Sequence, residues 1–201
     1  MLTLALTACT SGGFGLVPSY PYVEDRSLAL VDETLTLRVR EDRTVRVEAL
    51  FEFVAVGSPK SRVATFPIGG PRGTAHGFLA ELAGAEPERL PVALGTGGAL
   101  PFGDPVESWD IWLDGDALAR HDGRLRVTYE QRGSGRFSYV LKSGAYWCGP
   151  IARLEVVIDD PHRNLLAVIV EGERAEVRGR SRLRHVLRDV EPRSGVELLF
   201  E

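Results

Sequence analysis

The sequence predicts an all-β protein, an immunoglobulin-like antiparallel β-sandwich, on two observations. Short segments in which apolar and polar residues alternate recur along the chain, separated by turn-forming residues. No stretch keeps the 3.6-residue apolar spacing of a helix for three turns. About ten alternating segments favour two packed sheets over an α/β or a helical fold.

The first half contains the clearest hairpin. Between Glu33 and Gly57, two alternating runs flank the polar turn at Glu41 to Arg43, so each strand has one core face and one wet face. Arg62 to Ile68 is a further strand, and Pro67 indicates that it lies at a sheet edge or ends in a bend. In the glycine-rich and proline-rich stretch from Gly69 to Asp104, Phe78–Leu82 and Leu90–Leu94 are predicted to form one hairpin followed by a long loop.

The second half begins with Glu107 to Leu113, a strand, and continues with a single helical turn over Asp114 to Arg120. Three consecutive strands are then predicted within Gly123 to Asp160: GRLRVTYEQ, RFSYVLK after an RGSG turn that sends the chain back, and IARLEVVID. The apolar run LLAVIVEG is a strand covered on both faces, and two closing strands follow it. A composition shift near residues 104–106 allows a division into two packed β-subdomains.

Composition is that of an ordinary globular chain of 201 residues, with 44% hydrophobic and 26% charged residues. The net charge of −4 argues against a nucleic-acid partner, because phosphates require an excess of cations. Only Lys60 and Lys142 are lysines, so arginine supplies nearly all the positive charge.

The N-terminus predicts a lipid anchor. Residues 1–9 form an apolar run that ends in Leu6-Thr7-Ala8-Cys9, an aliphatic residue and two small residues before a cysteine. This spacing resembles the bacterial lipobox, in which the cysteine receives the lipid, although no Lys or Arg precedes the run. We therefore expect a truncated lipoprotein signal peptide at 1–9 with attachment at Cys9, a tether at 10–26 and the β-sandwich at 27–201.

A pattern in the second half resembles a family of bacterial secreted β-sandwich proteins of unknown function. The pattern consists of a tryptophan strand, a V-x-Y strand and then Y-x-L-x-(S/T)-G-x-x-W-x-G-x-I. The matching residues are Trp109, Trp112, Val127-Thr128-Tyr129, Tyr139 to Gly144, Trp147 and Gly149-Pro150-Ile151. The resemblance implies an extracytoplasmic double sheet and brings no catalytic residues.

Residues that could carry chemistry are few. His76, His121, His162 and His185 lie at no metal-ligand spacing, so neither a metal nor another cofactor is expected. Asp110, Asp114 and Asp116 could form a calcium loop but lack an EF-hand arrangement, and a solvated turn explains them better. Cys148 could be a reactive thiol, although a buried small hydrophobe is the commoner fate of a lone cysteine.

Two surface features are candidate binding sites. If residues 178–184 form one strand, their four arginines share one face and make an anion-binding surface for lipid head groups or an acidic glycan. A wet face balanced by nearby carboxylates is the alternative. The four arginines are Arg178, Arg180, Arg182 and Arg184. Trp112 opposes the phase of Trp109, Ile111 and Leu113, so its ring is the best candidate for an exposed aromatic surface.

The function expected from these features is that of an extracytoplasmic protein, lipid-anchored to a bacterial membrane. Its β-sandwich is expected to be a non-catalytic binding or structural module of the cell envelope. One alternative is an accessory enzyme, a hydrolase or a thiol-dependent enzyme, that uses an acidic cluster or Cys148. Another is a subunit of an envelope assembly, in which a partner protein completes a sheet edge.

Overall fold

The computed structural model describes residues 28–57, 62–95, 107–141 and 149–201, except for the side chain of Arg62. The described residues form fourteen strands and one short helix. Their bounds are β1 (Leu28–Val39), β2 (Thr44–Ala55), β3 (Arg62–Ile68), β4 (Ala75–Leu82), β5 (Glu88–Arg89), β6 (Val92–Leu94), β7 (Glu107–Leu113), α1 (Gly115–Arg120), β8 (Arg124–Arg132), β9 (Arg136–Val140), β10 (Ile151–Asp159), β11 (Leu165–Val170), β12 (Glu173–Glu176), β13 (Arg182–Val190) and β14 (Gly195–Phe200).

The strands form three sheets, which confirms the all-β, sandwich-like prediction. A seven-stranded sheet, here called the large sheet, has the order β13-β10-β1-β2-β8-β4-β5. A four-stranded sheet has the order β12-β11-β14-β9, and a three-stranded sheet the order β3-β7-β6. Most neighbours are antiparallel, but β1 and β10 pair in parallel. Strands from before and after residues 104–106, which lie outside the described ranges, share the large sheet and the three-stranded sheet.

The large sheet has a covered face and an open face, because side chains alternate along each strand. On β1, Leu35, Leu37 and Val39 are buried while Arg38 is exposed, and β2 and β8 repeat this alternation. The apolar members belong to a single hydrophobic cluster that includes residues of all three sheets. The two smaller sheets therefore pack on one side of the large sheet and leave its other side to solvent.

The three sheets meet at Phe66. Its ring, on β3, lies 6.3 Å from that of Phe51 and 6.0 Å from that of Tyr129 on the large sheet. It also lies 6.1 Å from the ring of Tyr139 on β9, in the four-stranded sheet. These rings are mostly edge-on, the arrangement in which the positive edge of one ring faces the negative face of another.

The four-stranded sheet covers the half of the large sheet made by β1, β10 and β13. Tyr139 on β9 donates a hydrogen bond to Glu33 on β1, with 3.1 Å between the oxygens. Leu165 and Val168 on β11 line a cavity of about 10 Å³ together with Ile158 on β10 and Leu183 on β13. These residues come from facing strands of the two sheets, so the two layers face each other here.

One predicted hairpin is wrong, and a second has its partner strand at Glu88 to Leu90 rather than at Leu90 to Leu94, since the N–H of Leu90 donates to the carbonyl of Ala80 at 2.9 Å. β9 does not pair with β8; it pairs with β14, so the segment at Gly133 to Gly135 carries the chain from the large sheet to the four-stranded sheet. Likewise, β4 pairs with β8 and the short β5, whereas β6 pairs with β7. In both cases the alternation located the strand correctly, but alternation does not encode which strand lies beside it.

The predicted helical turn is α1. Asp114 caps it, since its carboxylate accepts hydrogen bonds from the backbone N–H groups of Asp116 and Ala117 at 2.8 and 3.0 Å. Among the described residues, no helix has the length and apolar character needed to cross a membrane.

Candidate anion-binding surface

The predicted row of four arginines is only partly on a strand. Arg182 and Arg184 belong to β13 and point to the open face of the large sheet, since their neighbour Leu183 packs against the core. Arg178 and Arg180 lie before β13, in a turn around Gly179, whose φ of 77° is in the left-handed region. All four arginines are exposed, but the expectation of one continuous strand face applies to two of them.

Backbone hydrogen bonds fix the start of β13 against β10. The N–H of Asp160 donates to the carbonyl of Ser181 at 2.8 Å, and the N–H of Arg180 donates to the carbonyl of Val177 at 2.9 Å. The carboxylate of Asp160 is buried and accepts from the N–H of Leu165 at 2.9 Å. The turn is therefore held at the edge of the large sheet beside the end of β10.

Ion pairs cover one part of the open face. Arg153 on β10 contacts Asp32 on β1, with 2.9 Å between the charged atoms, and also contacts Glu155. Glu155 in turn contacts Arg184 on β13. This chain of alternating charges joins three strands and leaves the four side chains nearly neutral as a group.

A second group of pairs lies on β2, β8 and β4. Arg126 contacts Glu81 at 2.9 Å and Glu48 at 3.7 Å, and Arg124 contacts Glu52 at 3.1 Å. These carboxylates lie on the strands flanking β8, in register with or close to the arginines that they contact. We call these two groups together the paired part of the open face.

At the end of the open face beside the β1–β2 turn, the charged residues are arranged differently. Five residues stand in register across five strands: Arg182 on β13, Asp159 on β10, Arg38 on β1, Arg46 on β2 and Glu130 on β8. Arg38 and Arg46 are direct cross-strand neighbours on the same face, a like-charge pair that sheets ordinarily avoid. Within the described ranges, neither guanidinium group has an ion pair. Across roughly 19 Å, at about 4.8 Å per strand, the row thus has three cations and two anions, with the two arginines Arg38 and Arg46 side by side at its centre.

Further arginines from separate segments converge on this end of the large sheet. The β1–β2 turn is tied to the end of β8, because the N–H of Gly133 donates to the carbonyl of Arg43 at 3.1 Å. It is also tied to the β10–β11 loop, because the side-chain amide of Asn164 donates to the carbonyl of Arg40 at 3.0 Å. The resulting cluster, here called the basic end, comprises Arg38, Arg40, Arg43, Arg46, Arg132, Arg163, Arg178, Arg180 and Arg182, all exposed.

Carboxylates at the basic end are fewer. Glu130 contacts Arg40, and Asp42 accepts hydrogen bonds from the backbone N–H and the hydroxyl of Thr44, both at 3.0 Å. These bonds, the backbone one first, lower the pKa of Asp42, and the nearby positive charges of Arg40 and Arg132 act in the same direction. Asp42 is therefore ionised at neutral pH, but the arginines still outnumber the acidic groups, including Glu41 and Asp159.

Trp112 lies on the outer side of the three-stranded sheet. Its residue exposure is 44%, while Ile111 and Leu113 are 1% and 2% exposed, in keeping with the alternation along β7. Its cross-strand neighbour Val63 is also exposed, so the two side chains form a small apolar patch. A ligand for this patch stays a prediction.

The other residues that the sequence suggested as possible sites either lie outside the described residues or have structural roles. Cys9 and Cys148 lie outside the described residues. Asp114 is occupied as the helix cap, and Asp110 accepts a hydrogen bond from the hydroxyl of Thr65 at 2.9 Å. Within the described part of the chain, no three His, Cys, Asp or Glu side chains are grouped to hold a metal ion.

One ionisable pair inside the core was not predicted. Glu33 is 2% exposed, and burial raises its pKa to about 7, although the hydrogen bond from Tyr139 acts in the opposite direction. Burial and the adjacent Glu33 likewise raise the pKa of Tyr139 well above its ordinary value. The sequence did contain a signal for this burial. In the alternation Thr34-Leu35-Thr36-Leu37, Glu33 has the phase of the leucines, which is the core side of the strand.

The chain was compared with protein families, curated proteins and solved structures. No family model matches the chain, and no curated protein shows significant sequence similarity to it. Among solved structures, yeast LTA4 hydrolase in complex with bestatin is similar over 86% of this chain, with 10% identity and a TM-score of 0.42. A two-domain M1 zinc metallopeptidase with bound L-tryptophan is similar over 87%, with 13% identity and a TM-score of 0.38. The chain spans 28% and 43% of those two chains.

Proposed function

We propose that this protein is a lipid-anchored component of a bacterial cell envelope and that its β-domain is a non-catalytic binding or structural module. The observation that carries the binding role is the row of arginines on the open face of the large sheet, where Arg38 and Arg46 have no ion pair within the described part of the chain. Arg38 and Arg46 oppose each other directly, an arrangement that costs stability and that a bound anion would relieve.

The N-terminal sequence supports the anchor. Leu6-Thr7-Ala8-Cys9 has the residue types and the order of a lipobox, and two or more acyl chains on one cysteine give stable membrane attachment where a single chain gives marginal binding. A lipid-anchored domain is restricted to the vicinity of the bilayer. Its open face then needs only modest affinity for a ligand at the envelope, because the local concentration is high.

The roles of several polar side chains support a module rather than an enzyme. Asp114 caps a helix, Asp110 accepts from Thr65, and Glu33 lies in the core bonded to Tyr139. On the open face, the carboxylates of Glu48, Glu52, Glu81 and Glu155 are held by arginines. Carboxylates committed in this way maintain the fold and the surface.

Intact-mass measurement tests the anchor. The protein, expressed with its native upstream region and extracted from membranes, should have the mass of a chain that begins at Cys9 and carries acyl groups. A Cys9→Ser variant should lack those groups and leave the membrane fraction. An unprocessed, unlipidated wild-type chain would contradict the proposal.

Thiol labelling tests the non-catalytic role. Cys148 should react slowly in the native protein and rapidly after denaturation, as expected of a thiol that takes no part in chemistry. A native thiol that reacts faster than a free cysteine would favour the thiol-dependent enzyme instead.

A further inference from the structure

We infer that the basic end binds the surface of an anionic phospholipid bilayer and so orients the anchored domain, with the β1–β2 turn toward the membrane. The inference deepens the proposed function and rests on it. It assigns the contact to Arg38, Arg46 and Arg182, with support from the arginines that surround them.

The charge distribution is the first argument. The chain as a whole has a net charge of −4, yet arginines outnumber carboxylates at this one end of the large sheet. On the paired part, by contrast, Arg153 and Arg126 each contact two carboxylates. A negatively charged plane would therefore attract the basic end more than the paired part.

The shape of the cluster is the second argument. Arg182, Arg38 and Arg46 lie in register on one open sheet face rather than on the walls of a cleft, with Asp159 of β10 between Arg182 and Arg38. Arg40 and Arg43 extend the cluster around the β1–β2 turn, and Arg163 extends it along the neighbouring loop. Guanidinium groups spread over several strands can contact several phosphates at once, which suits a surface of head groups better than a single small anion.

The anchor position is the third argument. β1 begins at Leu28 and ends at Val39, so the basic end lies about 40 Å from the start of β1, at roughly 3.3 Å per residue. The chain from Cys9 to Leu28 can span about 65 Å when extended, at about 3.3–3.6 Å per residue. An anchor at Cys9 therefore permits either end of the large sheet to reach the bilayer, and the basic end would select one orientation.

The combination of a lipid anchor with a basic surface has a known effect on membrane binding. A lipid chain together with a basic patch binds membranes more firmly than either signal does alone, and each arginine near an anionic surface raises the partition coefficient about fivefold. The ionic contribution decreases as salt screens the charges. The expected behaviour is thus weak, salt-sensitive binding by the unlipidated protein.

The test uses the full chain carrying Cys9→Ser, so that no acyl group contributes. Its co-sedimentation is measured with phosphatidylcholine vesicles and with vesicles containing phosphatidylglycerol, at about 0.05 M and about 0.5 M salt. We expect binding to the anionic vesicles alone, and only at low salt. An Arg38→Gln/Arg46→Gln variant should lose roughly tenfold to thirtyfold in partition coefficient.

A matched control removes the same charge elsewhere. Arg89 on β5 and Arg120 on α1 are exposed and lie toward the opposite end of the large sheet. An Arg89→Gln/Arg120→Gln variant should therefore bind within about threefold of the unmodified Cys9→Ser chain. Equal losses in the two variants would overturn the assignment to the basic end.

Two other outcomes would overturn the choice of ligand. Equal binding to neutral and anionic vesicles would eliminate the charge-based contact. Binding to a soluble sulfated polysaccharide without any binding to anionic vesicles would identify a glycan as the partner. Lipidation is measured separately by intact mass, so loss of the anchor hypothesis and loss of this one give different results.

Discussion

The covered face and the open face of the large sheet are made by the same strands, yet they use different interactions. On the covered face, residues such as Leu35, Val47 and Val127 are fully buried and belong to the common core. On the open face, the paired part relies on arginine–carboxylate contacts, and the basic end has like charges side by side. Burial stabilises a domain far more than exposed ion pairs do, so stability depends on one face and binding can be placed on the other.

The largest expected effect concerns Phe66, where the three sheets meet. A Phe66→Ala variant should lose about 3–5 kcal/mol of unfolding free energy, because it leaves a cavity among Phe51, Tyr129 and Tyr139. Urea denaturation measures the loss, and Val63→Ala on the same strand, at 51% exposure, is the control, expected within about 0.5 kcal/mol. Similar losses of unfolding free energy in both variants would contradict the conclusion that the Phe66 side of β3 faces the core and the Val63 side does not.

The next effect is the pH dependence caused by Glu33. Its pKa is raised from 4.5 to about 7, so in this interval the folded protein holds a proton that the unfolded chain has lost. The contribution to stability is complete below pH 4.5 and is lost as the pH rises through 7, a decrease of about 3 kcal/mol.

A Glu33→Gln variant cannot titrate at this position, so its unfolding free energy should change less between these pH values and should exceed that of the wild type at pH 8. Denaturation at several pH values measures both quantities. Glu48→Gln on the open face is the control and should keep the wild-type slope. A wild-type slope in the Glu33→Gln variant would show that another group titrates.

A smaller effect is expected on the paired part. Arg153 contacts Asp32 and Glu155 and is 30% exposed, so Arg153→Gln should cost about 1 kcal/mol of unfolding free energy. The cost should decrease at high salt, because partly exposed charges are screened. A loss as large as that of Phe66→Ala would mean that the open face carries much more of the stability than its exposure indicates.

The smallest effect should have the opposite sign. Arg38→Gln removes one member of the like-charge pair with Arg46, so the variant should gain a few tenths of a kcal/mol in unfolding free energy. Thermal denaturation at low salt, repeated at high salt, measures the gain and its screening. A destabilised variant would show that Arg38 supports the fold, which would weaken the argument that this end is arranged for binding.

The sequence predicted where strands lie along the chain more accurately than which strands pair with each other. Alternation correctly located β1, β2, β8 and β10, because each has one buried and one wet face. It also placed Trp112 on an exposed side. It missed the separation of β8 from β9 and the parallel pairing of β1 with β10, since both depend on contacts between segments far apart in the chain.

The candidate site, like the fold, could be predicted from the sequence only in part. Local spacing alone identified Arg182 and Arg184 as members of one face, and it identified the lipobox at Cys9, which stays a prediction. It could not identify Arg38 and Arg46 as their neighbours, because these residues are more than a hundred positions away and approach only when β10 lies between β13 and β1. Arg38 and Arg46 individually look like ordinary wet-face residues.

The sequence by itself determined the all-β class, the strand phases and the exposure of the arginines, since period-2 alternation is a local property of the chain. The tertiary structure decided that three sheets form, that Glu33 is buried against Tyr139 and that arginines from segments far apart in the chain share one end of the large sheet. Those features depend on strand order and register, which follow from the packing of the whole core rather than from any single segment.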